Sequence, residues 1–454
     1  MMKKIMLSIF KYLGIFLLVI GIFNLCLYLA CLIPSSSLEE NVRESADILG
    51  EQGMDYLISK IFRIVNNNCT DSVIINESYS IDNEHPYISY MKARKNYQKD
   101  VTINEIEDIP GEGVTVNYLY EDEAEGIEEG EVVGYYYDPI GELFDFLSGL
   151  LTSSLNYARY WHGYLVFLRP LLAIFNYSQI RKINAVMQIV VFLILLLLMI
   201  KNKIGIYVIS FISCYILMCP VALSMSLQNS TVWYISCISC IIYLLWKEKI
   251  TKYKLHYLLF TIVGMVTSFM DLLTYPIVSL GMLLLFVLIS EELDFKEAVK
   301  RILICGICWT LGYGIMWGAK WVIGTLVIGE NVIQQALNQA SYRSSNLTWG
   351  DVEVSRIGVI KNTLQMFHLP MTKKIILFHG ICCLSIVLIN LKKYHVKEMK
   401  KRIMDVLPIY AVGLMTFVWY LVLTNHTQIH PFLAFRTAFV FIFAVTVGTY
   451  KLIS

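Results

Sequence analysis

The chain has 454 residues, of which 56% are hydrophobic, and a mean hydropathy of +0.58. That composition excludes a soluble domain folded round one large core and fits a polytopic membrane protein. The net charge of +1 excludes a chain built as a whole to attract nucleic acid.

Residues 1–33 open with Lys3, Lys4 and Lys11 and then run apolar to Ile33. The run is too long for the apolar core of a signal peptide, and no small-residue cleavage site follows it. It reads as an uncleaved first transmembrane helix with its basic end in the cytoplasm. Residues 34–156 form the long polar region, with 25 Asp and Glu against 7 Lys and Arg. Residue patterns there predict a helix over Val42–Val65 and strands over Val114–Tyr120 and Val132–Tyr137. An amphipathic helix over Pro139–Leu155 returns the chain to the membrane. Glu121–Glu131 is almost wholly acidic or Gly and reads as a solvated loop. The whole reads as a small α+β extracytoplasmic domain. Of the 11 Cys only Cys69 lies in it, so it closes no disulfide on itself. The pairs Cys237/Cys240 and Cys305/Cys308 imitate metal or redox pairs. Both sit in apolar runs without a nearby His or carboxylate, where free Cys acts as a small hydrophobe.

Residues 157–182 contain the stretch YARYWHGYLVFLRPLLAIFNYSQIR, with Arg159, His162 and Arg169 among aromatics, Leu and Val. Arg at the bilayer centre costs roughly 2.5 to 3.5 kcal/mol even on the lenient insertion scale, so plain lipid-facing helix is a poor reading. Two readings remain. The segment dips into the membrane surface and lines a polar cavity that suits an anionic head group such as phosphate. Alternatively it is an interfacial anchor, with Tyr and Trp at head-group level and Arg snorkelling.

Apolar runs near 183–200, 204–223, 231–246, 255–271, 275–290 and 302–328 predict transmembrane helices 2–7 within residues 183–328. Runs near 373–391, 403–424 and 431–450 predict helices 8–10 within residues 373–454. A second outer loop, 329–372, carries Arg343, Trp349, Asp351 and Arg356. The basic short loops are Lys201/Lys203, Lys247/Lys249/Lys252/Lys254, Lys296/Lys300/Arg301 and Lys392–Arg402, and all fall on one side. The positive-inside rule makes that side cytoplasmic. No internal repeat marks an inverted-repeat transporter.

This topology brings the unusual polar residues to the outer face. They are Arg159, His162 and Arg169, Asp271 in FMDLLTYPIVSLG, and His426, His430 and Arg436 in NHTQIHPFLAFR. Each has a bland alternative: Asp271 caps a helix, His426 and His430 are solvated, and Arg436 snorkels. Taken jointly, with Arg169 and Arg436 both in apolar context, they favour one outward polar cavity. His426 and His430 have metal-ligand spacing if helical, but Pro431 follows at once and no Glu accompanies them. No Walker loop, Rossmann glycine pattern or Ser-His-Asp signature occurs. Phosphate beside lipid tails points to a lipid-linked phosphate substrate. A carboxylate there can deprotonate an acceptor hydroxyl while Arg and His hold the leaving phosphate, which is glycosyl transfer from a polyprenyl-phosphate sugar.

One basic-flanked span, a large acidic outer region, a re-entrant Arg/His segment and many further spans follow in order. That order resembles the GT-C class of membrane glycosyltransferases. The stretches IPSSSLEENVRES (33–45), CTDSVIINESY (69–79), YARYWHGYLVFLRPLL (157–172), FMDLLTYPIVSLG (269–281) and NHTQIHPFLAFR (425–436) resemble uncharacterised Gram-positive envelope proteins of that type. The resemblance implies a polytopic α-helical, GT-C-like fold of about ten transmembrane helices in the plasma membrane, with the active site facing outside. It implies a polyprenyl-phosphate sugar donor, an envelope glycan or teichoic-acid-type acceptor and no nucleic acid partner. No cofactor is implied, although a divalent metal is compatible with it. In that class the base is an Asp or Glu early in the first outer loop, which here means Glu44, Asp47 or Asp71. Asp71, in Thr70-Asp71-Ser72, is preferred because a helix-like run follows it, and Asp271 is the deeper alternative. The Asp-Glu pair familiar directly after the first span is absent. A flippase or transporter for lipid-linked glycans, a polysaccharide polymerase and a non-enzymatic assembly protein are the competing readings.

Overall fold

The computed structural model describes residues 2–59, 64–95, 99–102, 115–118, 132–150, 155–347, 353–367, 370–393 and 396–452. The expected acidic loop Glu121–Glu131, Trp349 and Asp351 lie outside the described residues.

Helix α1 (Met2–Cys31) enters the fold as an integral part of it. Its Asn24 Nδ2 donates to Tyr87 Oη at 3.2 Å, and its Oδ1 accepts from the Tyr90 hydroxyl. Helix α2 (Glu39–Gln52) follows and ends at Gly53, whose φ of 71° suits a residue without Cβ. The helix expected to run to Val65 therefore stops early. The β-branched and aromatic run beyond it forms the antiparallel pair β1 (Asp55–Ser59) and β2 (Ile64–Asn67). Helix α3 (Cys69–Tyr79), helix α4 (Pro86–Lys92) and strands β3 (Arg94–Lys95) and β4 (Lys99–Thr102) come next. Strands β5 (Thr115–Tyr118) and β6 (Val132–Tyr137) match the predicted strands, and β4-β6-β5 is an antiparallel sheet. Helix α5 (Pro139–Leu147) and β7 (Leu155–Asn156), which pairs with β3, close this mixed region.

The bundle then runs through α6 (Leu165–Leu172), α7 (Tyr177–Lys201), α8 (Val208–Leu217), α9 (Pro220–Met225), α10 (Leu227–Lys252), α11 (His256–Met270), α12 (Ile277–Ser290) and α13 (Phe295–Ile328). After α14 (Val332–Arg343) and α15 (Arg356–Gln365) come α16 (Pro370–Lys393), α17 (Val396–Val422), α18 (Thr424–Ile429), α19 (Pro431–Ala434) and α20 (Ala438–Lys451). The run expected as one span over 204–223 is broken between α8 and α9. Cys219 takes a left-handed φ of 59° and Pro220 starts the next helix, because the residue before Pro is driven out of the helical region.

Among the described residues, six helices are long and apolar enough to cross a membrane: Tyr12–Cys31, Tyr177–Lys201, Leu227–Lys252, Phe295–Ile328, Glu398–Val422 and Pro431–Lys451. Shorter apolar helices cover Gly205–Leu217, His256–Met270 and Ile277–Ser290. The architecture is consistent with a helical membrane protein. Helix α12 is its axis, with every residue from Val278 to Leu288 buried. A helix apolar all round needs neighbours all round, and α10, α13, α17 and α20 supply them. Helices α11 and α13 cross closely because Gly264 faces the Trp309 carbonyl and Gly312 faces the Thr261 carbonyl. A Cβ at either glycine would sit 2.2 Å from that oxygen. At one end of the bundle Glu291 joins His256 at 2.6 Å and Arg301 at 3.0 Å, beside Lys247 and Lys451. The mixed α/β region and the segment after β7 lie at the other end.

Candidate functional site

Residues 157–164 form an irregular strap between β7 and α6. His162 is left-handed (φ 54°), and the next residue, Gly163, donates its N–H to the Phe269 carbonyl at 2.9 Å. A Cβ on Gly163 would lie 2.5 Å from that same oxygen, so only glycine permits this docking on the end of α11. Trp161 Nε1 donates to the Met316 carbonyl at 2.7 Å and Trp321 Nε1 to the Arg159 carbonyl at 3.0 Å, which fastens the strap to α13. The Arg159 guanidinium lies over the Tyr157 ring at 4.4 Å and the Tyr160 ring at 5.4 Å.

On α13 the rings of Trp309, Tyr313, Trp317 and Trp321 follow one another at centroid distances of 4.8, 5.7 and 5.6 Å, the first pair stacked, the second tilted and the third edge-on. Residues four apart share a helix face, so this ladder follows from the sequence spacing. Tyr313 and Trp317 line a half-open cavity of about 200 Å³ together with Arg159, Tyr160 and Leu273, with Ala336, Gln339, Ala340 and Arg343 of α14, and with Trp419 and Leu423. No carboxylate lines it. Arg159 Nε, Tyr313 Oη, Trp317 Nε1 and Trp419 Nε1 are buried there without a protein hydrogen-bond partner among the described residues. A buried donor left unpaired costs about 1–3 kcal/mol, so four of them round one space are prepared for acceptor atoms of a ligand.

Asp271 follows α11 in the link to α12 and accepts from Thr274 N at 3.0 Å and from Thr274 Oγ1 at 2.5 Å. The turn it closes carries Leu273 (φ 65°) into the cavity wall. Burial pushes the Asp271 carboxyl up to about 7, opposed by the Thr274 hydroxyl and backbone amides. Tyr313 lies within electrostatic reach of it. His426, on α18, is buried beside Arg343. Burial first and the Arg343 cation second hold it down to about 3, so the ring is neutral. The His426 and His430 rings lie 5.0 Å apart, and among the described residues no third metal-ligating side chain joins them. Arg436 donates to the Phe432 carbonyl at 2.5 Å, stacks on Phe435 at 4.7 Å and lies within reach of Tyr275.

Of the expected site residues only Arg159 lines this cavity; the Asp271 turn reaches it through Leu273, and His426 lies near Arg343 without lining it. Arg169 is wholly buried and spends all three guanidinium nitrogens on the carbonyls of Ala30, Ile33 and Ser78, closing the ends of α1 and α3. His162 turns inward, its Nδ1 lying 3.0 Å from Glu77 Oε2 and its Nε2 3.0 Å from the Tyr157 carbonyl oxygen. Asp71 is wholly buried and accepts from Tyr177, from Leu227 N at 3.0 Å and from Gln228 N at 3.4 Å. It caps the positive end of α10, beside Arg181. Burial pushes its carboxyl up, against the Tyr177 bond and the Arg181 charge. Glu44 and Asp47 are exposed on α2, where Glu44 accepts from Asn176 at 2.7 Å.

Sequence reasoning missed Glu77, which accepts from Tyr164 in the same buried group as His162. It also missed the wall residues Tyr160, Arg343 and Trp419, and the four-residue aromatic period of α13, which was there to be read. An apolar groove of about 700 Å³ is lined by Phe23, Ile74, Tyr164, Leu168, Met187, Phe269 and Leu272 among others. The chain matches no protein-family model, no curated protein and no solved structure.

Proposed function

We propose that this chain is a GT-C-type membrane glycosyltransferase that moves a sugar from a polyprenyl phosphate to a cell-envelope glycan or teichoic-acid-type polymer on the outer face of the plasma membrane. One observation carries the reading: the end of α11 and the link after it give Leu273 to a cavity of unpaired donors with two arginines, and Phe269, Met270 and Leu272 to an apolar groove. A ligand that satisfies both has acceptor-rich anionic chemistry at one end and a long apolar chain at the other. In this reading ten spans cross the bilayer, the acidic α+β region is extracytoplasmic, and the basic loops are cytoplasmic.

Arg159 and Arg343 hold the phosphate and stabilise the charge that grows on it. We assign the base to Asp271, whose turn places Leu273 in the cavity wall although its own carboxyl does not line the space, and whose titration near neutrality suits proton abstraction. The acceptor hydroxyl oxygen bonds to the anomeric carbon. The bond from that carbon to the phosphate oxygen breaks, its electron pair leaves on the phosphate, and the hydroxyl proton passes to Asp271. A flippase for lipid-linked glycans needs polar groups along its path. Here the buried axis helix α12 is apolar from Val278 to Leu288 apart from Ser279.

The test is turnover by the full chain in nanodiscs, with a panel of short-chain polyprenyl-phosphate hexoses and a hydroxyl acceptor. Release of polyprenyl phosphate by the native protein, lost in Arg159→Ala and Asp271→Asn, is expected. Transbilayer movement of the donors without their cleavage would replace the transferase by a flippase.

A further inference from the structure

The strap that carries Arg159 is held from behind by a buried acid to which the transfer chemistry gives no part. We propose, resting on the reading of the arginine cavity as the phosphate site, that Glu77 is a positioning residue: through His162 it fixes the strap and so sets Arg159 against the bound phosphate.

Glu77 and His162 are both buried. His162 Nε2 lies 3.0 Å from the Tyr157 carbonyl oxygen, so it donates, and the bond closes residues 157–162 into a ring that contains Arg159. Its Nδ1 lies 3.0 Å from Glu77 Oε2 and 2.8 Å from the Tyr164 hydroxyl, which itself donates to Glu77. A proton therefore sits between Nδ1 and the carboxyl. The Arg159 guanidinium rests on the Tyr157 and Tyr160 rings. Those two rings pack in turn against the His162 ring, at centroid distances of 5.2 and 6.2 Å. Among the described residues the Glu77 side chain bonds to nothing outside this strap. Its Oε1 has no partner, and the neighbouring cation Lys320 donates to the Met91 carbonyl at 3.1 Å. The left-handed backbone of His162 is uncommon for a residue with a Cβ and persists where the surroundings over-determine it. Glu77 supplies that hold on the ring side, as Gly163 and Phe269 do on the backbone side. The same acid reaches both ligand spaces through the strap, because Tyr160 lines the cavity and Tyr164 lines the groove.

The experiment is a double-mutant cycle with the full chain in nanodiscs, read as the Kd of geranylgeranyl phosphate. Glu77→Ala weakens binding about tenfold, since a displaced positioning group is costly. Added to Arg159→Ala, the same substitution changes binding by less than about twofold, because the acid acts only through the arginine. Glu77→Gln restores binding to within about threefold of native, since its amide oxygen accepts from Tyr164 and its amide N–H donates to Nδ1 of a neutral ring. An equal fall in both backgrounds, or unchanged binding by a folded Glu77→Ala protein, overturns the proposal and leaves the transferase standing. If the native chain binds no geranylgeranyl phosphate, the phosphate site falls and the proposal with it. Should Glu77→Ala not fold, His162→Asn takes its place in the cycle, because Asn accepts a left-handed backbone and is too short to bridge Glu77 and the Tyr157 carbonyl. The same two outcomes then decide.

Discussion

The indole N–H of Trp321 donates to the carbonyl oxygen of Arg159 at 3.0 Å, so the helix that carries the aromatic ladder also sets the backbone of the arginine facing it. The bond uses only the arginine's backbone, so the guanidinium meets the Tyr157 and Tyr160 side chains and keeps its Nε for the cavity. Trp321→Phe keeps a ring in the ladder and removes the bond. Loss of one such bond costs about 1 kcal/mol of stability. Binding of a prenyl phosphate should weaken about three- to tenfold, since small misplacements of a positioning group are costly. Unchanged binding in a competition assay would mean that the strap holds Arg159 without Trp321.

The arginines separate into two kinds. Arg159→Ala and Arg343→Ala should each weaken anionic-lipid binding about tenfold or more, the scale of a charged hydrogen-bonding partner, with the folded protein retained. Arg169→Ala should do the reverse. It strands the carbonyls of Ala30, Ile33 and Ser78 in a buried site, at about 1–3 kcal/mol for each. Thermal unfolding followed by size-exclusion chromatography distinguishes the two kinds. A stable Arg169→Ala protein that fails to bind lipid phosphate would return Arg169 to the site.

Much of this arrangement was legible in the residues, and the rest had a definite reason not to be. The helical spans follow from hydropathy, and the breaks at Pro220 and Pro276 follow from the ring that fixes φ and removes a donor. The polar groups at Arg159, Asp271 and His426 are readable as residues too costly to leave in lipid; Arg159 lines the cavity, whereas Asp271 and His426 are buried behind it, next to Leu273 and Arg343 of its wall. The same rule flagged Arg169 but named the wrong partner. A buried arginine is satisfied equally by a phosphate or by helix-end carbonyls, and the carbonyls of Ala30 and Ile33 are more than a hundred residues away along the chain. The preference for Asp71 as base rests on a local pattern that shows only its own helix, whereas its burial comes from α7 and the start of α10. The strand pair β1–β2 lies inside the run expected as helix, because Gly53 stops α2 and a periodic pattern alone does not register that stop.

Asp71→Asn tests that correction. The carboxylate accepts two backbone N–H groups at the start of α10 and the Tyr177 hydroxyl, and an amide accepts with one oxygen and places a donor against the others. The variant should lose about 1–3 kcal/mol of stability while keeping sugar transfer in the fraction that folds. Normal stability with transfer abolished would restore Asp71 as the base.

Asp271→Asn should act in the opposite sense. The folded carboxyl titrates at about 7, above the usual value for Asp of about 3.9. Between those two values the folded state holds a proton that the unfolded chain releases, so stability falls as pH rises from about 4 to 7 and then levels off. Each unit of that window is worth up to about 1.4 kcal/mol. Asn carries no charge to desolvate, and its side-chain oxygen still accepts from Thr274. The variant should therefore be at least as stable as the native protein at pH 8, and the native protein should gain on it as pH falls towards 4. Transfer should vanish in Asp271→Asn at every pH. In the native protein transfer should rise through pH 7, because the base works only when ionised. A group whose removal stabilises the fold and abolishes turnover is retained for chemistry. If Asp271→Asn instead unfolds below the native melting temperature at pH 8, the carboxylate is holding the turn before α12, and the base must be sought at Glu77.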